Sequence, residues 1–407
     1  MKILIIMLLI INSSFSQWQE CSNGIEGKDL SRGFIHNNEI WVGAGGNGLY
    51  KSTNEGNSWL LSYATSYIPI RFCTNLNNVF FIGQGSVSDR IYRSIDNGLN
   101  WENVSSGTSG DKWDLITYNN ELYLAAYGYG VYKSQIGYSW SQINNGLNSL
   151  NIQCLGYKDN TLFCGSRSNG VSRSTNSGQN WDPANNGLLT YDVRGLCSNE
   201  NGIFLFTDNE GSTSGVYFSS DYGSNWMFRG LTNKDIVSIV NISNVMLGMV
   251  YNEGIYKSTN NGVSWSLVND GLTNLRAKHL ILYNNYLYYF AESNVASDKP
   301  IWKRPVGEVI GINSNSSEIP SQFNLSQNFP NPFNPKTNIL FELPKESFVK
   351  LIVYNTLGKE VTILANQVLK AGSYKIDWDA SNYPSGIYFY KLEARNFIES
   401  KKMILIK

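Results

Sequence analysis

The stretch Ser258-Thr259-Asn260-Asn261-Gly262-Val263-Ser264-Trp265 decides how most of this chain is interpreted, because it recurs. Four other copies keep Ser, Asp or Asn, Gly and Trp at the same spacing, and a sixth is one residue shorter. The complete copies are Ser52–Trp59, Ser94–Trp101, Ser174–Trp181 and Ser219–Trp226, and the short copy is Ser134–Trp140. Copies at a near-constant period predict a repeat architecture, which has to be settled before single residues are interpreted.

We call this pattern the box. Its third residue can accept N–H bonds inside a turn, and a glycine two residues later supplies a positive φ. The closing Trp is expected to bury its ring between adjacent repeats. Recurrence in unit after unit favours this structural role over a carboxylate-lined ligand or metal site. The structural positions are Ser52, Asn54, Gly56, Trp59, Ser94, Asp96, Gly98, Trp101, Ser174, Asn176, Gly178, Trp181, Ser219, Asp221, Gly223, Trp226, Ser258, Asn260, Gly262 and Trp265.

Seven units follow from the spacing of the tryptophans. Within each unit, three short apolar runs separated by turns precede the box, and no helical period is present. Four strands per unit are typical of a propeller blade. The last unit ends near Arg304 without a box, so the strand after the first Trp is expected to complete it. The tryptophans that open the units are Trp18, Trp59, Trp101, Trp140, Trp181, Trp226 and Trp265.

The sequence therefore predicts an all-β protein with a seven-bladed β-propeller at 17–306. Residues 1–16 combine Lys2, a short apolar core and small residues before Gln17, which predicts a cleaved secretory signal. Residues 307–322 are rich in Asn and Ser and are predicted to be a linker. Six or seven alternating runs at 323–407 predict a small Ig-like β-sandwich. No later stretch is long and apolar enough to predict a transmembrane segment.

Composition limits the kinds of partner and cofactor that are expected for this chain. The formal net charge is zero, which gives no electrostatic reason to expect a nucleic-acid partner. The two histidines and the five irregularly spaced cysteines do not form a metal pattern, so we expect no metal and no cofactor. Cys154 and Cys164 could pair across a hairpin in an exported protein, and the favoured alternative is that both are buried small hydrophobes. We expect a monomer.

Two resemblances follow from these motifs. Through its boxes, the segment 18–306 resembles the Asp-box (BNR-like) β-propellers, a superfamily that includes sialidases, sortilin-type receptors, xyloglucan hydrolases and photosystem-assembly propellers. Residues 323–407 resemble the C-terminal sorting domain of the type IX secretion system of Bacteroidota and related phyla. The matching segments are Leu325–Pro335, Val353–Asn355, Leu357–Val361, Ala371–Tyr374, Ser385–Leu392 and Lys401–Met403. This second resemblance implies the type IX secretion machinery as a partner, and a location outside the cell or on its outer surface.

In a propeller, the first strand of each blade lines the central channel, and nearby loops form its mouth. Alignment of the units predicts ligand-binding residues at Arg32, Arg71, Asp114, Arg194, Lys278 and His279, with Gln153 beside them. The surrounding loops contribute Trp113, Tyr127, Tyr129, Arg167, Asp208, Glu210, Glu253 and Asp298. Three equivalent arginines could hold a carboxylate by paired hydrogen bonds, as in sialidases.

Two functions are compatible with this pattern. The first is an exported, non-catalytic propeller that binds a glycan, a protein or a polymer. The second is a sialidase-like or other glycan-active hydrolase that uses the mouth. No sialidase-type Arg-Ile-Pro motif, Tyr/Glu pair or acid/base Asp can be assigned, so no catalytic residue is predicted. No phosphate-binding loop, dinucleotide motif or nucleophile elbow occurs either.

Overall fold

The computed structural model describes residues 17–45, 48–64, 70–84, 90–208, 212–242, 245–293, 295–316 and 319–407. The predicted secretory signal at 1–16 and Glu210 lie outside the described residues.

The described strands up to Pro305 form seven four-stranded antiparallel sheets. The first strand is β1 (Gln19–Glu20). Sheet 1 contains β2 (Leu30–His36), β3 (Glu39–Ala44), β4 (Gly48–Ser52) and β5 (Leu60–Tyr63). Sheet 2 contains β6 (Ile70–Leu76), β7 (Val79–Gln84), β8 (Ile91–Ser94) and β9 (Glu102–Asn103). Sheet 3 contains β10 (Asp111–Tyr118), β11 (Glu121–Tyr127), β12 (Gly130–Ser134) and β13 (Ser141–Gln142).

The next three sheets repeat this order. Sheet 4 contains β14 (Ile152–Lys158), β15 (Thr161–Ser166), β16 (Val171–Ser174) and β17 (Asp182–Pro183). Sheet 5 contains β18 (Val193–Asn199), β19 (Gly202–Thr207), β20 (Val216–Ser219) and β21 (Met227–Phe228). Sheet 6 contains β22 (Ile236–Ile242), β23 (Val245–Val250), β24 (Gly254–Ser258) and β25 (Ser266–Leu267).

Sheet 7 joins the two ends of this region. It contains β26 (Ala277–Tyr283), β27 (Tyr286–Ala291) and β28 (Ile301–Pro305), and its fourth strand is β1. The register pairs Gln19 with Lys303 and Glu20 with Trp302, which confirms the predicted closure. The first strand of each sheet contacts the first strands of its neighbours, and β26 contacts β2. The seven sheets therefore form a closed ring, in which the outer edge of each sheet is a short strand of two to four residues.

The ring has two faces, because every strand runs between them. The boxes and the turns between first and second strands lie at one end, which we call the box face. Asn199, in such a turn of sheet 5, donates a hydrogen bond of 3.2 Å to Asn261 in the box of sheet 6. The loops that lead into the first strands, and the turns between second and third strands, lie at the other end, which we call the mouth face.

The box is a hydrogen-bonded turn, as the copy in sheet 5 illustrates. Ser219 Oγ accepts from the Gly223 N–H at 2.8 Å and donates to Asp221 Oδ1 at 2.7 Å. Asp221 Oδ1 also accepts from the Asn225 N–H at 2.9 Å. Gly223 has φ +76°, and Tyr222 before it has φ +56°, a second left-handed residue that the sequence pattern did not predict. The other four complete copies contain the same bonds.

Six of the seven tryptophans that open the units each join one sheet to the sheet before it. The indole N–H of each donates to a backbone carbonyl of the preceding sheet's fourth-strand region. These bonds are 2.7–3.1 Å long and link Trp18 to Val268, Trp59 to Cys21, Trp140 to Val104, Trp181 to Ile143, Trp226 to Ala184 and Trp265 to Arg229. Trp101 differs, because it donates to Gly98 of its own box.

The Asn-Gly turn after a sheet packs against the next Trp. Gly187 has φ +87°, and a Cβ atom there would lie 2.2 Å from the Trp226 carbonyl oxygen. Gly146 meets the Trp181 carbonyl at the same distance. Because both the φ value and the close approach require glycine, these turns fix the position of one sheet relative to the next.

The chain beyond the ring forms a separate two-sheet unit, the C-terminal sandwich. Helix α1 (Val306–Ile310) and β29 (Ile312–Ser316) come first, so much of the segment predicted as a linker is regular structure. One sheet has the order β29-β34-β31-β30 and the other β33-β32-β35-β36. The remaining strands are β30 (Asn324–Leu325), β31 (Lys336–Leu343), β32 (Ser347–Asn355), β33 (Glu360–Leu369), β34 (Gly372–Asp379), β35 (Gly386–Ala394) and β36 (Phe397–Leu405).

Helix α1 packs on the ring at sheet 6. Val306 and Val309 belong to the same apolar cluster as Val245 and Leu247. The Val306 N–H donates to the Asn285 carbonyl at 2.8 Å, in a turn of the box face. The described contacts between the C-terminal sandwich and the ring therefore lie at the box face.

All five cysteines are free thiols, so Cys154 and Cys164 do not form the disulfide considered from the sequence. Both are buried. In the register, Cys154 lies opposite Gly165, and Cys164 lies opposite Leu155. The favoured alternative, buried small hydrophobes, fits this placement.

Replacing Ser219 with Ala tests the box. The change removes the acceptor for the Gly223 N–H, which is buried, so we expect the free energy of unfolding to fall by about 1–3 kcal/mol. Urea denaturation measures this. Ser220→Ala is the matched control, because Ser220 is exposed and adjacent, and it should change stability by less than about 0.5 kcal/mol. Equal losses in the two variants would contradict this role of the box.

Candidate functional site

Each of the seven first strands contains a β-bulge near its start, at the mouth face. The pairing with the second strand skips one residue there in six sheets and two residues in sheet 1. The skipped residues, which we call the bulge residues, are Arg32 (with Ser31), Arg71, Trp113, Gln153, Arg194, Val237 and Lys278. Because a bulge redirects a side chain and increases the local twist, this repeated feature presents seven side chains of five residue types around one opening.

The bulges show where the predicted site residues lie. Arg32, Arg71, Gln153, Arg194 and Lys278 are bulge residues. The predicted residues Asp114 and His279 come one position later in their strands. Trp113, predicted in a surrounding loop, is instead the bulge residue of sheet 3. Val237 was not predicted.

A second set of mouth residues was missed by the sequence analysis. It precedes the bulge residues by two positions, or by three in sheet 1, and its members are Asp29, Asp111, Asn151, Asp192, Asp235 and Arg276. In several sheets the backbone carbonyl of the second-set residue accepts a hydrogen bond from the N–H of the residue that follows the second strand. The Tyr251 N–H donates to the Asp235 carbonyl at 2.8 Å, and the Asp208 N–H donates to that of Asp192 at 3.2 Å. Recurrence of Asp at this spacing is the signal that could have revealed the set.

One carboxylate connects three sheets across the channel. Asp114 in sheet 3 lies 3.5 Å from the Arg32 guanidinium in sheet 1. Asp114 Oδ2 also accepts a hydrogen bond of 3.0 Å from the Leu155 N–H in sheet 4. Asp114 is largely shielded from solvent, whereas the Arg32 side chain is 42% exposed. The pair therefore narrows the channel and keeps its cation accessible from solvent.

The other two arginines of the predicted triad have carboxylate partners of their own. Arg71 binds Asp111 at 2.5 Å and lies 4.8 Å above the ring of Trp113. Arg194 binds Asp208 and lies 3.4 Å from Asp192. Three guanidinium groups engaged by three different carboxylate sets do not present one shared pocket for a substrate carboxylate. This geometry argues against the sialidase-like alternative.

In sheets 6 and 7 the basic side chains at the mouth are likewise paired with carboxylates. Lys278 binds Glu292 at 2.6 Å, and Lys234 binds Glu253 at 2.5 Å. Arg276 binds Asp298. Burial raises the pKa of the Asp29, Asp192 and Asp235 carboxyl groups, against the opposing effect of nearby cations. These carboxylates are therefore partly desolvated around the mouth.

Aromatic side chains cluster on the mouth side of sheets 3 to 5. The rings of Trp113 and Tyr127 are 6.3 Å apart. Tyr129 and Tyr191 have 44% and 47% of their surface exposed. The N–H groups of Gly130 and Gly170 each donate at 2.9 Å to the loop that enters the next sheet, at Leu150 and Tyr191 respectively. This anchoring holds the exposed rings on hydrogen-bonded turns.

His279 lies in the channel beside Arg32. Burial, followed by the Arg32 charge, lowers the pKa of its imidazole to about 3. Its Nδ1 atom is buried without a hydrogen-bond partner in the described structure. The imidazole is therefore neutral near pH 7.

The described residues contain no group of three or more His, Cys, Asp and Glu side chains placed to hold a metal ion. No helix in the described ranges has the length and hydrophobicity needed to span a membrane.

Comparison with known proteins identifies the C-terminal sandwich. Residues 327–407 match the family of secretion system C-terminal sorting domains. The sandwich is therefore a sorting domain of the type IX secretion system, and it indicates secretion or an outer-surface location. No curated protein matches the sequence.

Solved structures show similarity to this chain. "YCF48 bound to D1 peptide" is 13% identical, with a TM-score of 0.54, and the match covers 75% of this chain and 98% of that chain. The computationally designed Ika8 protein is 13% identical, with a TM-score of 0.48, covering 68% and 83%. The Niastella koreensis GH74 enzyme is 14% identical, with a TM-score of 0.49, covering 69% of this chain and 43% of the enzyme. The first similarity is one of fold, and the ring is a β-propeller.

The pKa of His279 predicts a pH dependence of stability. The folded-state pKa of about 3 lies below the unfolded value of about 6.5, so acid protonates the unfolded chain preferentially. This contribution to stability is complete above pH 6.5 and is lost as the pH falls towards 3. Between pH 7 and pH 5, we expect the free energy of unfolding of the native chain to fall by about 1–2 kcal/mol more than that of His279→Gln. Urea denaturation at both pH values measures it, and parallel losses would contradict the neutral imidazole.

Proposed function

We propose that this chain is an exported, non-catalytic binding protein. In this proposal its ring is a seven-bladed propeller of the Asp-box type, and its mouth face binds a segment of an extracellular protein. The sorting domain implies delivery through type IX secretion. The observation that carries the binding role is the series of seven bulges, which directs unlike side chains towards one opening.

The side chains at the mouth favour a protein partner. Arg71, Trp113, Tyr129 and Tyr191 are of the residue types that dominate binding energy at protein interfaces. Tyr129 and Tyr191 are exposed although they lie on anchored turns, so little side-chain and loop order has to be gained on binding. The solved YCF48 structure has a D1 peptide bound, which supports peptide binding by this fold without assigning a ligand here.

The arrangement of the two domains also supports this function. The sorting domain meets the ring at the box face, through α1 and sheet 6. The mouth face therefore stays accessible while the sorting domain is attached. A ligand at the mouth would not have to compete with it.

Substitutions at the mouth test the binding role. Peptide-display and glycan libraries are screened on the purified chain, and affinities are measured by calorimetry. We expect a peptide ligand whose affinity falls at least tenfold in Tyr129→Ala, because the variant removes an exposed ring at the mouth. Trp113→Ala should also weaken binding.

Tyr222→Ala is the matched control, because Tyr222 is equally exposed but lies on the box face. Its affinity should equal that of the native chain. If a ligand binds Tyr129→Ala and Tyr222→Ala with equal affinity, the mouth is not its binding site. If only glycans bind the native chain, and their binding is lost in Tyr129→Ala, the partner at the mouth is a glycan and not a protein.

A truncation tests the export route. Removing 327–407 removes the segment that matches the sorting domain, so we expect the protein to remain inside the cell envelope. Cell fractionation and immunoblotting of the medium and the outer surface measure its location. The full chain carrying Ser220→Ala should be exported normally. Export of the truncated chain in equal amount would contradict the assignment.

A further inference from the structure

One segment of the sorting domain spans from one sheet of the sandwich to the other. It comprises residues 324–333, which we call the strap. Its first part pairs with β31, where the Phe329 N–H donates to the Asn338 carbonyl and the Asn338 N–H donates back, both at 2.9 Å. Its last part lies along β36 in the other sheet, where the Phe333 N–H donates to the Ile404 carbonyl at 2.9 Å. The strap therefore joins the two sheets.

The middle of the strap is fixed by further hydrogen bonds to the sandwich. Asn328 is buried, and its side-chain amide donates to Thr337 Oγ1 at 2.9 Å. The Asn328 N–H donates to the Tyr390 hydroxyl at 2.7 Å, and this hydroxyl donates to the Ser326 carbonyl at 2.7 Å. Because these bonds satisfy the polar groups that precede Phe329, they hold its backbone in one position.

The strap is attached just as firmly on the far side of Phe329. The Asn331 side-chain oxygen accepts a hydrogen bond of 2.9 Å from the Ile404 N–H. Its side-chain amide donates to the Lys402 carbonyl at 3.2 Å. The Ile406 N–H donates to the Phe333 carbonyl at 2.9 Å. Phe329 thus lies between two points at which the strap is bonded to the sandwich.

Phe329 is nevertheless the large apolar side chain that the strap leaves in solvent. Leu325 and Phe333 of the same segment belong to the apolar core of the sandwich and are 1% and 2% exposed. Phe329 is 75% exposed, and the residue opposite it on β31 is the polar Asn338. By contrast, the exposed Phe348 on β32 lies opposite Val368. A rigid backbone therefore presents one uncovered aromatic ring.

The identity of the domain indicates what covers this ring. Residues 327–407 match a secretion system sorting domain, and such a domain acts by being recognised by the export machinery. The match begins at Gln327, so Phe329 lies inside the matched region. Aromatic side chains are enriched at protein interfaces, and one on a fixed backbone loses little conformational freedom when it binds.

We propose that Phe329 is the anchor by which the type IX secretion machinery recognises this sorting domain. In this proposal the ring enters an apolar pocket of a protein of the machinery, and the exposed Pro330 and Pro332 add apolar surface beside it. The anchor concerns delivery of the chain. It is therefore independent of what the mouth binds.

Export of the full chain tests the anchor. The chain is produced in a bacterium with a type IX secretion system, and immunoblotting of the medium and the cell surface measures the exported fraction. We expect Phe329→Ala to reduce export about tenfold or more, because it removes the binding ring. Phe329→Tyr keeps an aromatic ring and should be exported like the native chain. Phe348→Ala is the matched control, because Phe348 is also exposed, and its export should be unchanged.

Two further measurements separate recognition from folding. Urea denaturation of the purified variants should show no loss of stability in Phe329→Ala, because the deleted ring is exposed and the strap is held by other groups. Photo-crosslinking measures contact directly, with benzoylphenylalanine placed at position 329 or 348 and the linked protein identified by mass spectrometry. We expect position 329, and not position 348, to link to a component of the type IX machinery. This crosslink decides the question if Phe329→Ala unfolds.

The truncation that removes 327–407 distinguishes this proposal from the sorting assignment itself. If the truncated chain is retained and a folded Phe329→Ala is exported like the native chain, the domain sorts the protein without this anchor, and the proposal is wrong. An equal loss of export in Phe348→Ala would also overturn it. So would crosslinks from position 329 that reach only proteins outside the machinery.

Discussion

The hydrogen bond from a box indole to the carbonyl of the preceding sheet is the interaction on which the ring depends. A four-stranded sheet cannot bury both of its faces alone, so its stability requires a neighbour on each side. The Trp provides a large apolar surface for that contact, and its single N–H donor specifies the register. Since Trp18 makes this bond to Val268, the same interaction that stacks the sheets also closes the ring.

The glycine in the Asn-Gly turns makes this contact specific. With a Cβ only 2.2 Å from the Trp226 carbonyl oxygen, any larger residue at 187 would push neighbouring sheets apart. Four interfaces therefore combine an apolar anchor with a steric constraint, at Gly24, Gly146, Gly187 and Gly271. Because the boxes carry these constraints on the box face, residues at the mouth face are free to differ between sheets. The seven bulge residues include cations, an amide, an aromatic ring and an aliphatic side chain.

The repeated elements could be predicted from the sequence, because the same short pattern in several units supports one assignment for all of them. The strand order, the use of the strand after Trp18 and the strands of the C-terminal sandwich were all predictable from spacing and alternation. The bulges were not, because a bulge depends on pairing with the second strand and leaves no mark on the hydrophobic period. Asp114 was therefore placed where Trp113 lies. The pairing of Arg71 with Asp111, and the reach of Asp114 across the channel to Arg32, depend on side-chain geometry that spacing does not encode.

Positions where one sheet departs from the others indicate contacts that are not part of the stacking between sheets. In sheet 6 the residue opposite Lys257 is Leu247, whereas the equivalent residue in every other sheet is aromatic. Leu247 and Val245 both pack in the cluster that receives α1. This change replaces a ring contact within the sheet by an apolar contact with the helix that leads into the C-terminal sandwich.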